Sequence, residues 1–309
     1  MRNEMLDFEN RGHIHVVVWD QVESPALGVI QIVHGMAERI ERYQQLAAYL
    51  NKKGFIVVGQ SLRGHGQHAA DQGELGCLGE PGWEGLIKEV DCVSCMLEKR
   101  YPDLPKIMLG HSMGSFVART LLFKDIMAGH FCGVVLSGTG DQPRSVTLAG
   151  WKLAQIQSAI FGPRKPSKLL TTLSFGAYNK RFAPNRTAFD WLSRDDARVD
   201  DYVRDPLCGS VFSASFFRDF LKGLLYLDEM EKNNKLHFKG PILFISGADD
   251  PLQNNGKTFE RLIPLYQTKS TAKIEKHLFP GARHELLNEL NREEVYDMIA
   301  TWLEQRCCS

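Results

Sequence analysis

Apolar residues follow two alternating rhythms along this chain. Short runs at positions 13–19, 28–33, 55–59, 107–109, 133–137, 241–246 and 272–279 read as strands. Most are apolar almost throughout, as strands covered on both faces of a sheet are. Between them the apolar positions fall at helical spacing. Ile40, Tyr43, Leu46, Ala47 and Leu50 make one stripe over 40–53 that stops at Gly54. A second helix runs from Trp83 to Tyr101 and is closed by Pro102. A third carries Phe116, Val117, Thr120, Leu121 and Leu122 and is expected to reach about 127. Others are expected over 256–266 and 293–304. Strand–helix alternation of this kind predicts a mostly parallel sheet with helices on both faces.

The alternation lapses between Gly140 and about Asn234. No buried strand appears there, only helical stripes such as Phe216, Phe220, Leu224, Leu225 and Leu227, with loops rich in Arg and Asp. Because later strands are still needed to complete the sheet, this stretch reads as a helical cap inserted into one domain. The core is then 1–140 together with 235–309, and the cap is 141–234. No internal repeat or low-complexity linker is evident.

The chemistry concentrates where the 107–109 strand meets Gly110-His111-Ser112-Met113-Gly114 and a helix follows. G-x-S-x-G between strand and helix is the setting of a strained turn that lifts a serine hydroxyl clear of the sheet. A Cβ at Gly110 or Gly114 would collide with the neighbouring strand or helix. Such a serine needs a base, and the base an orienting acid, in the chain order Ser, Asp or Glu, His. His284 follows the last strand in Phe279-Pro280-Gly281-Ala282-Arg283-His284-Glu285, in a loop at that strand's carboxyl end, where open α/β proteins place their sites. After the preceding strand, Gly247-Ala248-Asp249-Asp250 offers two carboxylates. The Gly-x-x-Asp spacing favours Asp250, with Asp249 facing solvent or capping the turn and Asp141 a rival. The developing oxyanion is expected on the backbone N–H of Met113, at a helix N-terminus, and on that of Met36 in the His34-Gly35-Met36 loop. Both methionine side chains then line the acyl site.

Blander readings suit the remaining candidates. His111 is expected to point away from Ser112 in a turn, as a packed or hydrogen-bonded residue. Arg63 and His65 are expected to brace the site, while His13, His15 and His68 have no partner pattern. Asp195, Asp196, Asp200 and Asp201, interleaved with Arg194, Arg198 and Arg204, read as a solvated helix face.

Charge narrows the partners. Lys plus Arg equals Asp plus Glu at 37 each, so no nucleic acid is expected. Residues 1–10 are polar and lack the apolar core of a signal peptide, and no run reaches the roughly 18 apolar residues of a membrane span. Cys77, Cys92, Cys95, Cys132, Cys208, Cys307 and Cys308 form an odd, scattered set. Cys92 and Cys95 form a lone C-x-x-C on an amphipathic helix and read as packing thiols. The compartment expected is the reducing cytoplasm. No metal or cofactor is expected, and the oligomeric state is left open.

Taken together, His34-Gly35-Met36-Ala37-Glu38 with Arg42-Tyr43, Arg63-Gly64-His65-Gly66, the serine pentapeptide, Gly247-Ala248-Asp249-Asp250 and Gly281-Ala282-Arg283-His284-Glu285 resemble the serine α/β-hydrolases, in particular their monoacylglycerol lipase/lysophospholipase branch. The resemblance implies an α/β-hydrolase fold, with nucleophile Ser112, acid Asp250, base His284, and Met36 and Met113 at the oxyanion hole. It departs at Met36-Ala37, where many relatives carry a smaller residue, and across the cap. The cap is apolar (Trp151, Leu153, Ile156, Ile160, Phe161, Leu169 and onward to Tyr178) in a way that suits an acyl chain and core packing alike. The activity expected is hydrolysis of a small single-chain acyl ester, a monoacylglycerol or lysophospholipid. The alternatives are an aminopeptidase-like amidase, a carbon–carbon bond hydrolase, or a catalytically idle ligand-binding protein. Peripheral membrane contact through apolar cap residues stays open, with no basic amphipathic helix to favour it.

Overall fold

A computed structural model describes residues 1–8, 12–23, 25–271 and 273–307. Eight strands form one sheet: β1 (Arg2–Asp7), β2 (His13–Trp19), β3 (Gly28–Val33), β4 (Phe55–Gln60), β5 (Lys106–His111), β6 (Gly133–Ser137), β7 (Ile242–Gly247) and β8 (Ile274–Phe279). Their spatial order is β1-β2-β4-β3-β5-β6-β7-β8. β1, β2 and β4 pair antiparallel, and every pair from β4 to β8 is parallel. This is the mostly parallel sheet that the apolar runs predict. β3 to β7 are buried at every position because both faces are covered.

Each strand sorts its side chains to two cores by alternation. Met108 of β5 faces one core with Val117, Val90 and Phe216, whereas Ile107 and Leu109 face the other with Leu46, Leu50, Ile299 and Leu303. The first core is covered by α3 (Trp83–Arg100), α4 (Met113–Leu121) and later helices. The second is covered by α1 (Gln44–Lys52) and α11 (Arg292–Cys307).

Several expectations are corrected. β1 lies in a stretch expected only to be polar. It is an exposed edge strand whose charged side chains pair with Asp20 and Arg100, so no apolar pattern marks it. The 40–53 segment is a short 3₁₀ turn, Ile40–Tyr43, followed by α1. A short helix, α2 (Gly66–Asp71), lies in the Gly-rich loop. The helix after Ser112 ends at Leu121, because the Leu122 carbonyl accepts the amides of His237 and Phe238 at 3.0 and 3.1 Å. α5 (Asp125–His130) starts afresh beyond it. Ala272, expected to open the last strand, and Cys308 lie outside the described residues.

Between β6 and β7 come α6 (Arg144–Phe161), α7 (Lys168–Phe175), α8 (Asp196–Arg204) and α9 (Ala214–Asn233), the inserted helical segment. α6 packs along α9. The segment reaches back to the loops after β3 and β8, where Gly209 N–H donates to Ala37 and Glu285 N–H to Leu192. α10 (Lys257–Lys269) lies between β7 and β8. Among the described residues no helix is long and apolar enough to cross a membrane.

Candidate active site

β5 delivers Ser112 at its carboxyl end in a strained backbone conformation, φ 50° and ψ −117°. Two absent side chains permit the turn. A Cβ at Gly110 would come within 2.5 Å of the Gly114 carbonyl oxygen, and one at Gly114 within 2.0 Å of the Val33 oxygen. The Ser112 N–H donates to the Ser137 carbonyl at 2.9 Å, which holds the turn to β6.

His284 lies in the loop after β8 with Nε2 3.0 Å from Ser112 Oγ and Nδ1 2.9 Å from Asp250 Oδ2. Because a carboxylate only accepts, Nδ1 carries the hydrogen and Nε2 is left to receive the serine proton. Asp250 is wholly buried, and its carboxylate also accepts from Ser246 Oγ at 3.0 Å and Leu252 N–H at 2.9 Å. The acid turn and the base loop meet because Gly247 has no side chain: a Cβ there would lie 2.1 Å from the Ala282 oxygen. The other carboxylates point elsewhere, Asp249 to Arg181 at 3.0 Å and Asp141 to Arg261.

Burial lowers the proton affinity of His284. The Asp250 charge and hydrogen bond, with Glu285 and Glu38 beyond, raise it more, so the imidazole sits above its ordinary value.

Met113 opens α4 and has no helical acceptor for its N–H. Met36 follows Gly35, whose missing Cβ lets the loop lie beside Ser112; that Cβ would stand 3.2 Å from the serine Cβ. Two histidines fix this loop. His34 Nδ1 donates to the Gly35 carbonyl at 2.7 Å while its Nε2 accepts Leu62 N–H at 3.0 Å. His65 Nδ1 donates to the Arg63 carbonyl, and Nε2 accepts Ala37 N–H at 3.2 Å. Burial pushes them down, to about 4 for His34 and about 3 for His65, so both stay neutral and keep an acceptor nitrogen.

A hydroxyl, an imidazole and a carboxylate joined in line belong to a recurrent hydrolytic arrangement, and its ancestry can be asked of the whole chain. The family model described as serine aminopeptidase, S33, matches residues 24–291. The chain belongs to that family. It is 25% identical to a monoacylglycerol lipase of Mycolicibacterium smegmatis, over 96% of this chain and 95% of the relative. It is 27% identical to human monoglyceride lipase, over 93% of this chain and 86% of the relative. A thermostable carboxyl esterase of Bacillus coagulans, solved with glycerol, superposes at TM-score 0.87 and 23% identity over 99% of both chains, which establishes the α/β-hydrolase fold. The chain is therefore a hydrolase of that fold.

Three further features surround His284. Arg42 makes a bidentate pair with Glu285 at 2.6 Å through each nitrogen and also reaches Glu38 at 3.0 Å. Glu38 Oε1 accepts Gly35 N–H at 2.5 Å and Tyr43 OH at 2.9 Å, so one charged cluster ties the loop after β3 to the residue beside His284. Glu285 is held down to about 2: burial raises it, but the Arg42 guanidinium outweighs burial. Second, His111 is the last residue of β5 rather than part of a turn. Its ring centre is 5.0 Å from that of His284, and burial and the neighbouring imidazole lower it to about 4. Third, Trp191 of the inserted segment lies against His284. The Glu38 contacts with Gly35, Arg42 and Tyr43 are local, whereas those of Arg42 with Glu285 and of His111 and Trp191 with His284 join residues far apart in the chain, so no local signal announces them.

The minor candidates resolve simply. The Arg63 side chain, expected to brace the site, is instead bonded to Glu89 and to the Leu78 and Glu80 carbonyls, and His65 holds the loop after β3 through Ala37 N–H. His15 does have partners, Ser61 and Asn3, and His13 pairs with Asp7, both away from Ser112. His68 lies on α2 beside Gln72. Asp195 caps α8 and pairs with Arg292, while Asp200 and Asp201 pair with arginines on the exposed face. Cys92 packs beside Val93 and Leu97. Among the described residues no group of His, Cys, Asp or Glu is arranged to hold a metal ion.

Proposed function

We propose that this chain is a serine carboxylic-ester hydrolase that acts on single-chain acyl esters, a monoacylglycerol or a lysophospholipid. The observation that carries the reading is His284 within hydrogen-bond reach of both the Ser112 hydroxyl and the buried Asp250 carboxylate. His284 Nε2 takes the hydroxyl proton as Ser112 Oγ attacks the carbonyl carbon. The oxygen that gains the negative charge is met by the N–H groups of Met36 and Met113, at the start of α4 where the helix dipole favours an anion. The imidazolium, steadied by Asp250, gives its proton to the departing alcohol and leaves an acyl ester on Ser112. Water, deprotonated by His284, then releases the acid and restores the serine.

Residues 141–234 serve as the cap over a core of 1–140 and 235–309, and the cap selects the acyl group. α6 and α7 expose Val146, Ile156, Ile160, Phe161, Leu169 and Leu173, a surface suited to an amphiphilic substrate and to its aggregates. The named relatives, lipases of monoacylglycerol, support this substrate class. A second reading, amide hydrolysis of peptides with a free amine, is favoured by the description of the matching family. It needs free carboxylates for that amine, and Asp195, Asp196, Asp200 and Asp201 are already engaged by arginines or by helix amides.

The test is a chain-length series of monoacylglycerols and lysophosphatidylcholines set beside aminoacyl arylamides, with Ser112→Ala as the blank. Acyl-ester turnover that falls by about 10⁶-fold in Ser112→Ala and about 10⁴-fold in Asp250→Asn is expected. Preferred arylamide cleavage would replace the ester reading. Failure of a fluorophosphonate probe to label Ser112 in the folded protein would make the chain an idle binding module.

A further inference from the structure

Two rings lie against the imidazole of His284. One is His111, from β5. The other is Trp191, whose ring centre is 4.9 Å away with the planes tilted by 34°. Trp191 comes from the inserted segment, over ninety positions earlier in the chain. We propose that Trp191 is a positioning residue for His284, holding the imidazole toward Ser112 and stabilising the imidazolium of the reaction with its π face. The inference rests on the triad reading above.

The indole is itself held in place. Its backbone N–H donates to Asn179 Oδ1 at 2.9 Å, Phe175 stacks on it at 6.1 Å and 17°, and Tyr178 meets it edge-on at 5.0 Å. The segment around it is bound to the base loop through main-chain groups and neighbouring side chains. His284 N–H donates to the Trp191 carbonyl at 3.4 Å and Glu285 N–H to the Leu192 carbonyl at 2.7 Å. The Arg283 guanidinium donates to the carbonyls of Asp190 and Ser193. Glu289 accepts the amides of both Arg283 and Arg194. None of these bonds uses the indole, so the attachment would survive a change of side chain. What the indole adds is its face.

That face matters because His284 must alternate between neutral and charged while almost fully buried. Burial disfavours the charged form. Asp250, then Glu285 and Glu38, offset that cost with full negative charges. Arg42 in turn partly neutralises Glu285 and Glu38, His111 is neutral, and the Tyr178 phenol, pushed up to about 12 by burial and by the Asp250 charge, stays neutral. An aromatic face within about 6 Å attracts a cation without adding a charge that would pull the imidazole off line. An aliphatic side chain of similar bulk would exclude water equally well and lack this attraction. That difference separates positioning from simple filling of space.

The experiment measures kcat and KM against pH for a soluble p-nitrophenyl ester with the full chain, Trp191→Leu, Trp191→Phe and Ser112→Ala. Trp191→Leu is expected to lower kcat about tenfold with KM within about twofold, because the loss falls on the charged intermediate. It should also move the acid limb of kcat/KM down by about half to one pH unit, as the imidazolium loses its stabilising face. Trp191→Phe should restore most of both. Wild-type behaviour in Trp191→Leu overturns the proposal, as does a slower enzyme with an unmoved acid limb, or a Phe variant no better than Leu. Full turnover in Ser112→Ala would instead remove the triad reading, and this inference with it. An inactive Ser112→Ala beside an unaltered Trp191→Leu removes this inference alone.

Discussion

The buried arginine–glutamate clusters around Arg42 and around Arg119 differ in charge and in what they touch. Arg42 faces two carboxylates, Glu285 and Glu38, one of them next to His284 in sequence. Arg119 of α4 faces a single carboxylate, Glu231 of α9, at 2.6 Å, joined by Tyr266 OH, Thr139 Oγ1 and the Gly140 carbonyl. The first cluster carries an excess negative charge and stands behind the base. The second is balanced and fastens both ends of the inserted segment to the helix that follows Ser112. Similar chemistry thus serves two ends: unbalanced charge acts on a neighbouring proton equilibrium, and balanced charge acts on geometry.

Removing either guanidinium strands a buried carboxylate, which costs about 3–5 kcal/mol. Arg42→Met and Arg119→Met are therefore both expected to lose that much in urea denaturation. They should part in activity. Arg42→Met frees the oxyanion loop and the base loop together and should lose at least about 100-fold in kcat/KM, an effect on the scale of a lost oxyanion donor. Arg119→Met, assayed where it remains folded, should keep kcat within a few-fold. Neutralising the stranded partner sharpens the contrast. Glu231→Gln added to Arg119→Met should recover more than half of the lost stability. Glu285→Gln added to Arg42→Met should recover less, because Glu38 is still buried and unpaired.

The same contrast explains how much of the molecule is legible in its sequence. Strands β3 to β7 announce themselves because a parallel strand covered on both faces must be apolar throughout. The convergence of Ser112, His284 and Asp250 is legible because each stands at a glycine-marked turn after a strand, in a fixed chain order. Edge strand β1 has only one neighbour and keeps charges, so nothing distinguishes it from a polar leader. Helix α4 stops where a carbonyl is taken by residues more than a hundred positions away. The Arg42–Glu285 pair spans 243 positions, so the motifs that hold the two residues carry no sign that they meet. Long-range pairing leaves no periodicity.

Removing charge while keeping shape isolates the electrical part of the comparison. Glu285→Gln should lower the acid limb of kcat/KM by about half a pH unit, since Glu285 helps to raise His284. Glu231→Gln, on the balanced cluster, should leave the limb where it is.

Stability against pH reads the buried imidazoles of the Ser112 and oxyanion side directly. His34 and His111 are lowered to about 4 and His65 to about 3, so the folded protein refuses protons that the unfolded chain takes up below about 6.5. Each imidazole therefore removes about 1.4 kcal/mol per pH unit as pH falls from 6.5 toward its folded value. Glu285, held near 2, adds a further loss below its ordinary value of 4.5. His284 is raised and has the opposite sign: its contribution is present at low pH and is lost as pH rises through its folded value. Urea denaturation between pH 7 and 4.5 should give a slope that flattens by one imidazole's share in His111→Gln.

The smallest effect belongs to the carboxylate one position before the acid. Asp249 and Asp250 share the turn that follows β7, but Asp249 turns outward to Arg181, with 44% of its side chain exposed. An exposed pair of this kind is worth about 0–1 kcal/mol. Asp249→Asn should therefore leave stability within about 0.5 kcal/mol and kcat/KM unchanged, where Asp250→Asn removes nearly all turnover. Because the two substitutions change the same functional group in the same loop, unequal results isolate the contact with His284 as the cause. Equal losses would mean that the turn as a whole, rather than the one buried carboxylate, orients the imidazole.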